Sequence, residues 1–124
     1  MTKGIKVLYI DDEPVNVQLF EIIFSRKYAV LSGSSGFDGL KILENNPDTS
    51  VIISDMKMPG MSGIEFVLKA KEKFPDKNYY ILTGYDITEE IQTAINNGLI
   101  RNHFKKPFNL DKIESSINEA ARFN

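Results

Sequence analysis

The sequence predicts an open α/β fold, a doubly wound five-stranded parallel sheet of flavodoxin-like (βα)5 type with helices on both faces. Three observations carry that prediction. Apolar runs and amphipathic stretches alternate five times within 124 residues. The runs, such as Val51-Ile52-Ile53, do not alternate with polar residues, as expected of parallel strands covered on both faces. Five β/α units cannot close an eight-stranded barrel, so an open sheet is the economical solution.

The elements follow in order. The first strand covers residues 5–10 and stops at Asp11-Asp12, because Pro14 suits the first turn of a helix, where its missing N–H would be unpaired anyway. The second strand covers residues 29–31. Gly33, Gly36 and Gly39 then mark a turn into a helix expected to pack Phe37, Leu40 and Leu43. The third strand covers residues 51–53 and leads to Asp55 and a loop whose Met56, Met58 and Met61 are expected to cover apolar surface. Ser62-Gly63-Ile64-Glu65 has the spacing of a capping box opening the third helix. A fourth strand covers residues 79–82. Ile87, Ile91, Ala94 and Ile95 share one face of the helix after it, and Gly98 follows its end. The short fifth strand lies around residues 103–104. Pro107 separates it from a last helix with Leu110, Ile113, Ile117 and Ala120 on one face. No repeat, low-complexity stretch or linker interrupts the chain, so residues 1–124 are expected to form one domain.

Composition removes several functions. Cys is absent, which excludes a disulfide scaffold, Cys-based zinc sites and a thiol nucleophile. A formal charge of −2 argues against direct nucleic-acid binding, and Lys105-Lys106 is too short to form a basic patch. No apolar run could span a bilayer, and the run near the N-terminus is too short for a signal peptide; the chain reads as soluble and cytoplasmic, with no membrane partner. The glycines of Gly33-x-x-Gly36-x-x-Gly39 have neither the spacing nor the position of a dinucleotide fingerprint, and no phosphate-binding G-x-x-x-x-G-K-[ST] loop exists. The lone His103 lacks the His or Cys neighbours of a transition-metal site.

In an open α/β sheet the site lies outside the carboxyl ends of the strands. Asp11 and Asp12 follow the first strand, Asp55 the third, Thr83 the fourth and Lys106 the fifth, so residues up to 95 apart converge on one edge. Each alone has an ordinary reading: a helix cap, a turn acid, a buried strand-end threonine, a surface lysine. Together they supply a nucleophile, metal ligands, a hydroxyl donor and a cation. Three clustered carboxylates raise one another's pKa unless a cation intervenes, and one lysine cannot balance them. A hard divalent cation can, and Mg²⁺ is the natural candidate because it accepts few carboxylates and keeps several waters. An Asp beside it can act as a nucleophile toward phosphorus, with the cations and a hydroxyl spreading the charge of the phosphoryl oxygens.

The segments Leu8-Tyr9-Ile10-Asp11-Asp12-Glu13-Pro14, Ile53-Ser54-Asp55-Met56-Lys57-Met58-Pro59-Gly60-Met61-Ser62-Gly63, Ile81-Leu82-Thr83-Gly84 and Lys106-Pro107-Phe108 resemble the response-regulator receiver domains of two-component phosphorelays. The likeness runs from about Lys6 to Ala121. It implies the strand order 2-1-3-4-5 and a phosphoryl group accepted on Asp55 from a sensor histidine kinase or histidine phosphotransfer protein. It also implies Mg²⁺ held by Asp12, Asp55 and the backbone carbonyl of Lys57, with Asp11 acting largely through water. Lys106 would pair with the phosphoryl group and form a cis bond to Pro107; Lys57 and Tyr85 would flank the group and tune its lifetime. Thr83 would move toward a phosphoryl oxygen and the residue at 103 would follow, altering a surface of the fourth helix, fifth strand and fifth helix that meets a downstream protein target. A homodimer through that surface is compatible with the same resemblance.

Two features depart from the commonest pattern of the family. Position 103 is His where Tyr or Phe is usual, read as a half-buried ring in an aromatic slot in preference to a pH-sensing group. The run from Gly98 to His103 is one residue longer than usual, a feature of the subgroup often fused to cyclic-nucleotide or phosphohydrolase output domains. The competing functions fit less well. An aspartate-based phosphatase of the dehalogenase type would want D-x-D after the first strand, where Asp11-Asp12-Glu13 stands. A flavodoxin-like electron carrier would want a Ser/Thr-rich first loop. A phosphorylation-independent receiver-like binding module would not need all of Asp11, Asp12, Asp55, Thr83 and Lys106. The chain is therefore expected to be no enzyme beyond its own phosphoryl uptake and hydrolysis.

Overall fold

Unbroken apolar runs form strands here because both faces of the sheet are covered. The computed structural model describes residues 4–84 and 87–121. Its strands are β1 (Lys6–Ile10), β2 (Ala29–Gly33), β3 (Val51–Asp55), β4 (Asn78–Thr83) and β5 (Asn102–Lys105). The helices are α1 (Pro14–Phe24), α2 (Gly36–Asn45), α3 (Gly63–Lys73), α4 (Glu89–Asn96) and α5 (Leu110–Ala121). All neighbouring strands are parallel, in the order β2-β1-β3-β4-β5. Fold class and strand order agree with the sequence reading.

Successive side chains of a strand point to opposite faces, so each run divides between two cores. Leu8, Ile10, Ile52, Tyr79 and Ile81 pack with Leu43, Val67 and Ile91 under α2, α3 and α4. Val7, Tyr9, Val51, Ile53, Tyr80 and Leu82 pack with Phe20, Phe24, Ile113 and Ile117 under α1 and α5. Burying one such side chain is worth about 1.5–3 kcal/mol, so the central strands anchor the domain and fix the positions of their ends.

Local signals set the helix starts. Pro14 occupies the first turn of α1. In α3 the Ser62 hydroxyl accepts from the Glu65 N–H at 3.2 Å and the Glu65 carboxylate accepts from the Ser62 N–H at 2.9 Å, the expected reciprocal box. Met58 and Met61 are buried and Met56 packs against the same core, as expected.

Four expectations are corrected. Phe37 does not join the core; it is 61% exposed. The inward stripe of α2 is Gly36, Gly39 and Leu43, and a Cβ at Gly39 would strike Ile10 and Phe66. The helix therefore lies too close to the sheet for a larger inward residue there, and Phe37 turns outward. Ile87 lies before α4 and is exposed, because the Thr88 side chain caps that helix by accepting from the Ile91 N–H at 3.2 Å. Leu110, the first residue of α5, is also exposed, which leaves Ile113, Ile117 and Ala120 as the buried stripe. β2 runs two residues beyond its expected end, pairing Ser32 with Tyr9 and Gly33 with Ile10. Among the described residues no helix is long and apolar enough to cross a membrane.

Candidate functional site

Backbone hydrogen bonds at the carboxyl edge tie the strand ends together. The Asp11 N–H donates to the Gly33 carbonyl at 3.1 Å, joining the ends of β1 and β2. The Met56 N–H donates to Leu82 at 2.9 Å, joining β3 to β4, and the Lys106 N–H donates to Thr83 at 2.8 Å, joining β4 to β5. These bonds hold the loops that carry Asp55, Thr83 and Lys106 in register beside Asp11.

The result is one acidic cluster. Carboxylate oxygens of Asp11, Asp12 and Asp55 all lie within 4.8 Å of one another. The Lys106 ammonium stands 3.2 Å from Asp55 Oδ1 and 3.6 Å from Asp11 Oδ2. Asp11, Asp55 and Thr83 are buried, and Asp12 and Lys106 are half-buried. Asp12, Glu13, Asp55, Lys57, Thr83, Gly84 and Lys106 line a cleft of about 400 Å³ that opens onto this cluster. The bond between Lys106 and Pro107 is cis, as the resemblance implies.

Asp55 is pressed from behind by the start of α3. The Gly63 N–H donates to the Met56 carbonyl at 2.8 Å, and a Cβ at Gly63 would strike the Asp55 carbonyl oxygen and Ile81. The carboxyl group of Asp55 is pushed up to about 6, first by burial and then by the charge of Asp11, against the opposing pull of Lys106. That balance bears on a metal: three carboxylates gather about the Lys106 ammonium, and every donor is a hard oxygen. The donor set fits a hard divalent cation such as Mg²⁺.

Asp11 stands behind the cleft with both oxygens engaged. Its Oδ1 accepts from the Glu13 N–H at 3.0 Å and its Oδ2 from the Tyr9 hydroxyl at 2.6 Å. Burial, the hydrogen bond to Asp11 and the nearby carboxylate charges push the Tyr9 hydroxyl well above the ordinary tyrosine range, so it remains a proton donor. Tyr9 was not among the candidate residues read from the sequence. Strand parity could have found it, since Asp11 directly follows β1 and extends the face on which Tyr9 lies.

His103 lies apart from the cleft. It pairs in register with Ile81, two residues along from the Thr83–Lys105 pair, so His103 and Thr83 point to the same side of adjacent strands. Its ring is half-buried, as expected, and its Nδ1 is buried with no hydrogen-bond partner. Tyr85 falls outside the described residues.

A parallel sheet of this order, with an acidic cluster, a threonine and a lysine at its carboxyl edge, defines the receiver class of signalling domains. The family model described as response regulator receiver domain matches residues 7–118, and the chain belongs to that family. It is 31% identical to sporulation initiation phosphotransferase F of Bacillus subtilis, over 90% of each chain. It is 29% identical to the hydrogenase transcriptional regulatory protein HoxA of Cupriavidus necator over 95% of this chain, but spans only 24% of that relative's length. Among solved structures, a response regulator receiver domain protein from Clostridium thermocellum superposes with a TM-score of 0.87 at 31% identity, covering 94% of this chain and 93% of the other.

Proposed function

We propose that Asp55 is the phosphoacceptor of this receiver domain, taking its phosphoryl group from the phosphohistidine of a sensor histidine kinase or a histidine phosphotransfer protein. The observation that carries the reading is the Asp55 carboxylate, buried at the base of the cleft, 3.2 Å from Lys106 and within 4.8 Å of two further carboxylates. With a pKa near 6, Asp55 is largely ionised at neutral pH and can act as nucleophile. A carboxylate oxygen forms the bond to phosphorus as the phosphorus–nitrogen bond breaks. The electron pair stays on the departing imidazole nitrogen, which takes up a proton.

The surrounding residues have separate tasks. Asp12, Asp55 and the Lys57 carbonyl would hold Mg²⁺, with Asp11 reaching it through water. Bound there, Mg²⁺ would offset the carboxylate charge and that of the phosphoryl oxygens. Lys106 shifts its ammonium from Asp55 to a phosphoryl oxygen, and the Thr83 hydroxyl donates to another. Movement of Thr83 is passed to His103 along the shared face of β4 and β5, altering the surface of α4, β5 and α5 where a downstream protein docks. Residues 1–124 act as one cytoplasmic signalling unit whose only chemistry is its own phosphorylation and dephosphorylation.

Amide spectra recorded before and after addition of a small acyl-phosphate donor with Mg²⁺ test this reading. Shifts should appear at residues 55–57 and also at Thr83, residues 102–105 and α4. Shifts confined to residues 11–12 and 55–57 would refute the transmission and favour a phosphorylation-independent binding module.

A further inference from the structure

We propose that Tyr9 is a positioning residue of the acidic site, its hydroxyl fixing Asp11 as an acceptor for a metal-bound water and so favouring Mg²⁺ over Ca²⁺. The inference rests on the metal reading above and concerns a side chain outside the cleft. At 2.6 Å the O–H···O⁻ contact from Tyr9 to Asp11 is in the charge-assisted range. Both residues are fully buried, so the bond is sheltered from bulk solvent.

An ordinary buried tyrosine needs only some acceptor, and the other buried tyrosines show what that looks like. Tyr79 donates to the Phe74 carbonyl at 2.8 Å, Tyr80 to the Ser116 carbonyl at 3.4 Å and Tyr28 to the Asn118 side chain at 2.8 Å. Tyr9 instead meets a carboxylate of the acidic cluster. Its ring cannot adapt freely. It stacks on Phe20 at 4.2 Å with an interplanar angle of 5°, and meets Phe108 edge-on at 5.9 Å and 81°. The hydroxyl position is thus set by the core between β1, α1 and the start of α5.

Fixing Asp11 has a consequence for the ion. Each carboxylate oxygen has two lone pairs; Oδ2 meets the Tyr9 hydroxyl and, at 3.6 Å, the Lys106 ammonium, whereas Oδ1 accepts from the Glu13 N–H and keeps a lone pair. Asp11 can still accept from a water, but swinging onto the ion would break both existing bonds. Mg²⁺ keeps several waters in a strict octahedron, whereas Ca²⁺ gathers more carboxylate oxygens in flexible geometry. A clamped Asp11 suits the first and denies the second a ligand.

The test is calorimetric titration of wild type and Tyr9→Phe with Mg²⁺ and with Ca²⁺. The phenylalanine ring preserves the stacking on Phe20 and removes only the hydroxyl. The ratio of the Ca²⁺ to the Mg²⁺ dissociation constant should fall about tenfold in Tyr9→Phe, the scale of a hydrogen bond to a charged group. In an Asp11→Asn background the same substitution should leave the ratio unchanged. A purely structural role would move both constants together, and an unchanged ratio in Tyr9→Phe overturns the inference. The metal reading has its own control: wild-type Mg²⁺ binding should be lost in Asp12→Ala. Binding that Asp12→Ala abolishes, with an unchanged ratio in Tyr9→Phe, overturns the role of Tyr9 alone. Wild type that binds no Mg²⁺ overturns both.

Discussion

Replacing Asp55 by Asn should make the metal-free protein more stable at neutral pH. In the folded state burial and the charge of Asp11 raise the Asp55 carboxyl from 3.8 to about 6. A folded-state pKa above the unfolded value gives stability that is complete below about pH 4 and lost as pH rises through about 6. Two pKa units correspond to roughly 3 kcal/mol, which the metal-free wild type forfeits by pH 7.5. Asn has the shape of the protonated acid and no charge to desolvate, so it escapes that loss. Urea unfolding in EDTA should place the midpoint of Asp55→Asn about 1–3 M above wild type at pH 7.5, for a denaturant slope of 1–3 kcal/mol/M. At pH 4 the two midpoints should converge. Mg²⁺ should then raise the wild-type midpoint and leave Asp55→Asn much less affected. Equal midpoints at pH 7.5 in EDTA, or a less stable Asp55→Asn, would refute the electrostatic reasoning.

Two further substitutions separate chemistry from scaffold. Lys106→Ala removes the one cation that stands 3.2 Å from Asp55, and phosphoryl uptake from an acyl-phosphate donor should slow by about 10²-fold in stopped reactions analysed by mass. Ser62→Ala removes the hydroxyl that accepts from the Glu65 N–H, and should cost about 1 kcal/mol in urea unfolding while uptake keeps its rate.

The fold was legible because a parallel sheet writes itself as apolar runs with polar residues at one end. The same rule brought Asp11, Asp55, Thr83 and Lys106 together before any distance was known. Where the reading failed, a property other than hydrophobicity decided the outcome. The apolar character of Phe37 points it to the core, but Gly36 and Gly39 let α2 approach the sheet closely and take the inward positions. Ile87 falls in the helical period, yet the Thr88 cap starts α4 only at Glu89. Tyr9 read as one apolar residue of a buried strand. Its polar end mattered only once its neighbour across one pleat, Asp11, was seen to be buried as well. The half-buried state of His103 was foreseen, whereas its unpaired Nδ1 depends on the packing around β5 that no local pattern encodes.

The central claim, that Asp55 takes up a phosphoryl group with the help of a metal held by its neighbours, is tested most directly by intact mass. The protein is incubated with a small acyl-phosphate donor, with Mg²⁺ or with EDTA, and weighed. The account predicts a single phosphoryl adduct in wild type that requires Mg²⁺, is labile to base and is absent from Asp55→Asn. An adduct that persists in Asp55→Asn, or forms equally well in EDTA, would contradict it.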